Sequence, residues 1–454
     1  MMNVLVFPCG SEIGLEIHRA VRFSRHVSLV GASSVSSNHG RYVYNRYVDG
    51  LPFVDEFCFL QKLNEVVDRY DIDFVFPAHD SVALALARAA GELRCKVIGS
   101  PVRTCEVCRS KSATYAALGS SLRVPLAFSV DSPDFPRPAF LKPDVGQGSK
   151  GTCMVQSPEE AQFFLKKDPS LIALEYLPGR EFTVDCFTDR HRQLRFVGGR
   201  RRVRTSGGIS VDTAPFDDPR FRSIAETIHS AFCFRGPWFF QLKETALPEL
   251  ALLEVAPRVS GCMGLFRNLG VNIPLLSIFD AADMDVDVFQ SEYPIRMDRA
   301  LDQRFAMDLS FDHVYIDLDD TLILNGQVNV TAVAFLYQCR NRRIGIHLLT
   351  RCVEDVESRL ENFRLRSLLD TVLCAPKSIP KSRYITKPKA IFIDDSFAER
   401  KEVHDSLGIP TFALDMLESL LRERDDGDLL PSGEPKAPVD QAATDDCVKV
   451  GRKQ

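Results

Sequence analysis

Two aspartates separated by one residue, at the end of a short apolar run, are the sharpest chemical signal in this sequence. In Val314-Tyr-Ile-Asp-Leu-Asp-Asp-Thr-Leu-Ile323 the run predicts a buried strand, and period-two alternation puts Asp317 and Asp319 on one side of its carboxyl end. Further along, Thr350 ends the apolar run "IHLLT", and Asp394 and Asp395 end "AIFIDD". Three strand ends thus gather five carboxylates, Asp320 included, and one hydroxyl. Such a cluster repels itself unless a cation intervenes, so a Mg2+ site that handles phosphoryl groups is expected. Capping of helix N-termini explains one aspartate per strand, but not this repeated crowding.

A second set of candidates lies upstream. Phe140-Leu-Lys-Pro143 puts Lys142 on a strand just before Asp144-Val-Gly-Gln-Gly-Ser-Lys-Gly151. A glycine-rich turn lets backbone N–H groups approach phosphate oxygens while the lysine supplies a cation; such turns also occur without ligands. The stretch Leu174 to Asp185 reads as strand, Pro-Gly turn and strand, able to offer backbone groups to an adenine edge with Glu175 or Glu181 reaching ribose or amino groups. An exposed hairpin with two solvated glutamates fits it equally. Alternation places Gln241 and Lys243 on one face of "PWFFQLKE", and Glu254, Ala256 and Arg258 on one face of "LALLEVAPR". Inward polar groups on facing strands suit magnesium and phosphate better than a plain core. Arg200, Arg201, Arg202 and Arg204, followed by Ser206-Gly-Gly-Ile-Ser210, give a basic strand and a flexible loop, or else a solvated edge strand that discourages aggregation.

The elements that must position these groups change along the chain. Over the first hundred residues, strands such as "NVLVFP" and "DFVFPA" alternate with helical runs, which predicts a parallel doubly wound sheet. His79 and Asp80 close one of its strands at the carboxyl end, where open α/β sheets place ligands, and read equally as turn and helix-cap residues, the reading preferred here. From about 109, strands at hairpin spacing predict an α+β arrangement on antiparallel sheet. From 311 a second βα alternation begins, and the tail from Asp425 has the composition of a disordered segment. Composition excludes several classes. A net charge of −5 opposes general nucleic-acid binding, and no apolar run approaches the roughly 18 residues of a membrane span. The N-terminus lacks the pattern of a secretory leader, and thirteen scattered cysteines suit reduced thiols, so a cytoplasmic enzyme is expected. Cys105 and Cys108 form a lone CxxC without a second pair, which is weak grounds for zinc.

The ordered set in residues 1–300 resembles the ATP-grasp superfamily, in the branch similar to carbamoyl-phosphate synthetase and amino-acid ligases. The resemblance implies ATP binding by Lys111, Lys142, Gly146, Gly148, Glu175, Tyr176, Leu177, Glu181, Arg202 and Arg204. It implies Mg2+ on Gln241 and Glu254 and a catalytic role for Arg258. It also implies transfer of a phosphoryl group from ATP to a carboxylate, then attack by an amine. One departure stands out: the family's Glu-x-Asn-x-Arg is here Glu254-Val-Ala-Pro-Arg258, and Ala256 has no amide oxygen for a metal.

Residues 311–425 resemble the haloacid-dehalogenase (HAD) phosphatases. That implies Asp317 as nucleophile, Asp319 as acid and base, Thr350 and Lys381 (Lys377 as alternate) on the phosphoryl group, and Asp317, Asp319, Asp394 and Asp395 about Mg2+. Only 29 residues separate Asp320 from Thr350 and 30 separate Thr350 from Lys381, too few for a sizeable cap. The expected division is a preATP-grasp α/β domain at 1–108, an ATP-grasp domain at 109–305, a Rossmann-like HAD domain at 308–424 and a tail at 425–454. The expected function is a bifunctional enzyme, an ATP-dependent carboxylate–amine ligase fused to a Mg2+-dependent phosphatase. Its partners would be small-molecule carboxylates, amines and a phosphorylated substrate, with a homodimer allowed. The alternative is a phosphatase whose ATP-grasp domain is degenerate and serves as a nucleotide-binding regulatory module or sensor.

Overall fold

The computed structural model describes residues 1–351 and 355–422. The expected tail from 425 lies outside the described residues. The chain forms two compact units, the first comprising Met1–Asp302 and the second beginning at Gln303. Among the described residues no helix is long and apolar enough to cross a membrane.

The first unit opens with five parallel strands in the order Arg46–Val48, Val27–Ala32, Met2–Phe7, Phe74–Pro77, Lys96–Val97. The chain leaves Met2–Phe7 toward one edge and returns to Phe74–Pro77 on its other side, so these two strands flank a topological switch point. Each is followed at its carboxyl end by a capped helix. Ser11 accepts a hydrogen bond from the Gly14 N–H at the start of Glu12–Val21, and His79 accepts one from the Ser81 N–H at the start of Asp80–Arg88. Ile13, Ile17 and Val21, at helical spacing, turn one face of the first helix into the core.

Two antiparallel sheets complete this unit. A small one is ordered Cys153–Val155, Ala139–Pro143, Leu171–Glu175. The large one is ordered Leu250–Ala256, Gly236–Glu244, Glu181–Thr188, Leu194–Ser206, Ile209–Pro215, Met297–Asp298. Val4, Val6 and Ile17 of the parallel domain share one apolar cluster with Phe187, Phe196, Met263 and Phe266, so the expected domains 1–108 and 109–305 have a common core. Deeper in the large sheet, Trp238 stacks on Phe234 at 4.1 Å and donates from Nε1 to Thr188 Oγ1 at 2.9 Å.

The second unit is a five-stranded parallel sheet ordered Thr371–Ala375, Gly345–Arg351, His313–Ile316, Ala390–Ile393, Thr411–Phe412. Immediately after its central strand the chain makes a small hairpin, Ile323–Leu324 with Gln327–Val328, turned by Asn325 and Gly326, both at positive φ.

Trp238 is the single tryptophan of the chain, so its emission reports on the first unit alone. Phe234→Ala opens a void under the indole and is expected to destabilise this unit by about 3–5 kcal/mol. Denaturant titration followed by Trp238 emission should show the earlier midpoint, while the second unit's transition, followed by circular dichroism, stays in place.

Candidate functional site

A cavity of about 420 Å³ opens where the small sheet, the large sheet and the carboxyl end of the parallel sheet face one another. Its lining includes Lys111, Lys142, Gly146, Gly148, Glu175, Tyr176, Leu177, Glu181, Arg202, Gln241, Glu254 and Arg258. Lys142 projects from Ala139–Pro143 and is buried; its Nζ donates to Tyr115 Oη at 2.8 Å and to the Leu253 carbonyl at 3.2 Å. Burial pushes its pKa down to about 8, partly resisted by Glu254. Lys111, also lowered by burial, donates to the carbonyls of Asp144 and Gly146 at 3.2 and 3.4 Å. Asp144 in turn accepts from Ser110 Oγ and the Ser112 N–H, each at 2.7 Å. These bonds hold its carboxyl below the usual range although burial works the other way.

The glycine-rich loop that starts at Asp144 is therefore anchored at its root. Gly148, Ser149 and Gly151 take positive φ, as do Gly207 and Gly208 in the turn between Leu194–Ser206 and Ile209–Pro215. The two turns touch backbone to backbone: a Cβ on Gly208 would collide with the peptide of Gly148. Gln147 reaches across to His79, and Arg202 donates to the Gly208 carbonyl at 2.6 Å.

On the large sheet, Gln241 stands directly opposite Glu254 on one neighbouring strand and opposite Thr183 on the other. Gln241 Oε1 accepts from Arg202 Nη1 at 3.1 Å, and Arg202 also pairs with Glu181. Ala256 is buried on the same strand as Glu254 and brings no oxygen to the site.

Four expectations need correction or refinement. Arg204 does not face the cavity; it is exposed and pairs with Asp298. A break in register between Arg202 and Arg204 turns the strand, so strict alternation fails there. Arg258 does not present a free guanidinium. Nε and Nη2 donate to Asp80 at 2.8 and 2.7 Å and Nη1 to the Val259 carbonyl at 3.0 Å, while the Asp80 carboxyl stays below its usual range because Arg258 outweighs burial. The Glu175 carboxylate is engaged by Arg123 at 2.6 Å and by the Leu126 N–H at 2.9 Å. Asp319 belongs to the second unit and is treated below.

The cavity continues past Arg258 to Arg200, read in the sequence as part of the basic strand, and to residues that sequence reasoning left aside: Ser11, Glu12, Ser260, Gly261 and Cys262. Arg200 is 3% exposed; Nε donates to Asp185 at 2.8 Å and Nη2 to Ser260 Oγ at 3.2 Å, and Ser260 donates to Asp185 at 2.7 Å. Its Nη1 is buried with no hydrogen-bond partner among the described residues, a deficit that costs about 1–3 kcal/mol when nothing accepts from it. Period-two spacing with Arg202 was the available signal for Arg200. Nothing local marks its partners, 15 and 60 residues away. Cys105 and Cys108 are buried free thiols, pushed up by burial, which suits packing rather than metal binding.

In the second unit, carboxylate oxygens of Asp317, Asp394 and Asp395 lie within 4.8 Å of one another. Lys381 is 2% exposed and its Nζ donates to Asp317 and to Asp394, both at 2.6 Å. Burial raises Asp317 to about 6, with Lys381 opposing and Asp394 adding to the rise. Thr321 accepts from the Asp395 N–H at 3.1 Å, and Arg400 donates to the carbonyls of Asp394 and Asp395 at 2.5 and 2.6 Å, which fixes this turn. Thr350 is buried at the end of the adjacent strand Gly345–Arg351. The expected five-carboxylate cluster is smaller than alternation implied. Asp319 turns to Arg359 on the helix Val356–Asn362, and Asp320 takes positive φ and is exposed. The strand ends at Ile316, so alternation no longer governs side chains three residues on.

Three comparisons bear on this arrangement. A family model described as ATP-grasp in the biosynthetic pathway with Ter operon matches residues 167–302. A search of curated proteins finds no match to this chain. Among solved structures, the biotin carboxylase domain of Hydrogenobacter thermophilus 2-oxoglutarate carboxylase, in complex with MgADP, ADP and bicarbonate, is similar at TM-score 0.54 and 14% identity, over 63% of this chain and 71% of that one. Staphylococcus aureus N5-carboxyaminoimidazole synthetase complexed with ADP is similar at 0.54 and 14%, over 66% and 82%. The L-amino acid ligase from Bacillus licheniformis is similar at 0.50 and 17%, over 62% and 74%. Over that part of its length the chain has the mixed α/β ATP-grasp fold.

Proposed function

We propose that the first unit is an ATP-dependent carboxylate–amine ligase and that the second is a Mg2+-dependent phosphatase of the HAD type. The domains would be 1–108, 109–305 and 308–424. The observation that carries the ligase reading is the convergence of Lys111, Lys142, Arg202 and two glycine-bearing turns on one cavity, in a fold whose solved relatives bind ADP.

In this reading the substrate carboxylate oxygen attacks the terminal phosphorus of ATP, the bond to ADP breaks, and an acyl phosphate forms. The amine then adds to the acyl carbon, phosphate leaves, and the amine releases a proton. Lys142, Lys111 and Arg202 offset charge on the phosphoryl group in flight, and the paired turns at Gly148 and Gly208 keep water from the acyl phosphate. Gln241 and Glu254 would hold Mg2+, which offsets phosphate charge when bound.

In the second unit, the phosphoryl group of a substrate would pass to Asp317. Asp319, once released from Arg359, would protonate the departing oxygen and then activate water to hydrolyse the aspartyl phosphate. The donor set fits a hard divalent cation: Asp317, Asp394 and Asp395 would hold Mg2+, which neutralises the incoming phosphoryl group. Lys381, held between Asp317 and Asp394, and Thr350, on the neighbouring strand, would bind the phosphoryl group. Ala256 favours a second reading, in which the first unit binds nucleotide without turnover and regulates the phosphatase.

Incubation with ATP, Mg2+ and a pool of small carboxylic acids and amines should release ADP in an acceptor-dependent way. Nucleotide-dependent thermal stabilisation without ADP release would favour the second reading. Lys142→Met is expected to weaken ATP binding about 10–100-fold, the equivalent of one charge-assisted hydrogen bond.

The Lys142 pKa near 8 gives this a pH signature. Below 8 the unliganded lysine is already charged; above it, binding phosphate must take up a proton. ATP affinity should therefore fall by up to about tenfold per pH unit above 8, and the slope should vanish in Lys142→Met. Titration calorimetry across pH checks both.

For the second unit, Asp317→Asn should lower hydrolysis of p-nitrophenyl phosphate by roughly 10³-fold or more while the protein stays folded. Unchanged hydrolysis would remove the phosphatase assignment.

A further inference from the structure

The phosphatase reading leaves its substrate unnamed, and the partner of Asp319 narrows the choice. We propose that Arg359 selects phosphate esters that carry a second anionic group, a carboxylate or another phosphate. That group takes the guanidinium and frees Asp319 to serve the departing oxygen. The inference rests on the phosphatase reading of the second unit.

Engagement is the first argument. Arg359 Nη1 donates to Asp319 Oδ2 at 3.2 Å and Nη2 donates to Oδ1, so both carboxylate oxygens are taken by one guanidinium. A carboxylate held by both oxygens turns neither of them to a substrate. The backbone on each side is fixed. Leu318 and Leu360, next in sequence to the two partners, are buried in one apolar cluster together with Val356, which packs the helix Val356–Asn362 in place. Exchange of partners therefore falls to the side chains.

Availability is the second. Lys381 is locked between Asp317 and Asp394. Arg351 donates through Nε and Nη2 to Glu399 and through Nη1 to the carbonyls of Pro376 and Ile379 at 2.8 and 2.7 Å. Arg400 donates to the carbonyls of Asp394 and Asp395. These three cations hold the frame of the site. The side chains of Arg359 and Asp319 are 29% and 43% exposed, so an incoming ligand can reach their pair. An ion pair open to solvent is weakly held and readily exchanged.

Charge is the third. The phosphoryl group is met by Lys381, Thr350 and, when bound, Mg2+. The anion that displaces Asp319 must then come from the rest of the substrate. A guanidinium presents parallel donors that match two oxygens of a carboxylate or phosphate, which an alcohol does not offer. An ester with a single phosphoryl group leaves Arg359 on Asp319 and turns over only through the minor, released population.

The test is steady-state hydrolysis by the full chain, with Mg2+, of three matched pairs. They are 2-phosphoglycolate against ethyl phosphate, 3-phosphoglycerate against glycerol 3-phosphate, and fructose 1,6-bisphosphate against fructose 6-phosphate. The first two probe a carboxylate and the third a second phosphate. The expected result is that kcat/KM favours the member with two anionic groups in at least one pair by about 10–100-fold, the equivalent of one charge-assisted hydrogen bond. Arg359→Gln should raise KM for the favoured ester and raise kcat for the esters with one anionic group, because Asp319 is then unlatched. Arg359→Lys should restore part of the preference, with folding checked by the unfolding temperature of each variant in circular dichroism. The proposal is overturned if no pair is discriminated, if Arg359→Gln keeps the preference, or if it lowers kcat for the esters with one anionic group. Failure here is separable from failure of the phosphatase reading. Hydrolysis of p-nitrophenyl phosphate that Asp317→Asn abolishes, with no preference within the pairs, rejects the role of Arg359 and keeps the phosphatase. Calorimetric binding of esters with two anionic groups that is lost in Arg359→Gln, yet never leads to hydrolysis, does the reverse.

Discussion

Burying a cation is tolerable only when an anion or a ring of dipoles is supplied at hydrogen-bond distance, and both units are organised by that requirement. In the first, Lys142 is set against Tyr115 and the Leu253 carbonyl, Arg258 against Asp80, and Arg200 against Asp185 and Ser260. Lys142 and Leu253 come from different sheets, as do the strands that lead to Arg258 and Asp80, while Arg200 and Asp185 lie on neighbouring strands of the large sheet. Satisfying each charge therefore fixes the small sheet, the large sheet and the carboxyl end of the parallel sheet about one cavity.

The same requirement gives opposite results for two buried lysines. Lys142 loses hydration and has only neutral oxygens in direct contact, so its pKa falls. Lys381 also loses hydration, but two carboxylates at 2.6 Å more than compensate and its pKa rises. Lys142, with no carboxylate in direct contact, keeps its charge free for an arriving anion and binds it best while still protonated. Lys381, locked between Asp317 and Asp394, keeps a crowded acidic site compact.

Much of this frame was legible in the sequence because it depends on local periodicity. Alternation along "PWFFQLKE" and "LALLEVAPR" put Gln241 and Glu254 inward, and the strand register sets them opposite one another. The lysine opening "KSRY" was preferred to Lys377, and Lys381 is the one buried against the aspartates. Failures occurred where regular geometry stops. Arg204 lies past a register break, and Asp319 past the end of its strand. What no periodicity could show was long-range pairing. Asp80 reads locally as a helix-start residue, and its partner Arg258 lies 178 residues away. Glu12 likewise looks like a first-turn carboxylate until Arg299 and Gly261 are brought beside it.

The contact between Gly148 and Gly208 has a thermodynamic consequence. Two separate flaps would each lose their own conformational entropy on ordering over a ligand. Turns that interlock through their peptide planes order together, and the second gains its restraint from the first. Closure over the cavity thereby becomes a cooperative event shared by two distant segments of chain.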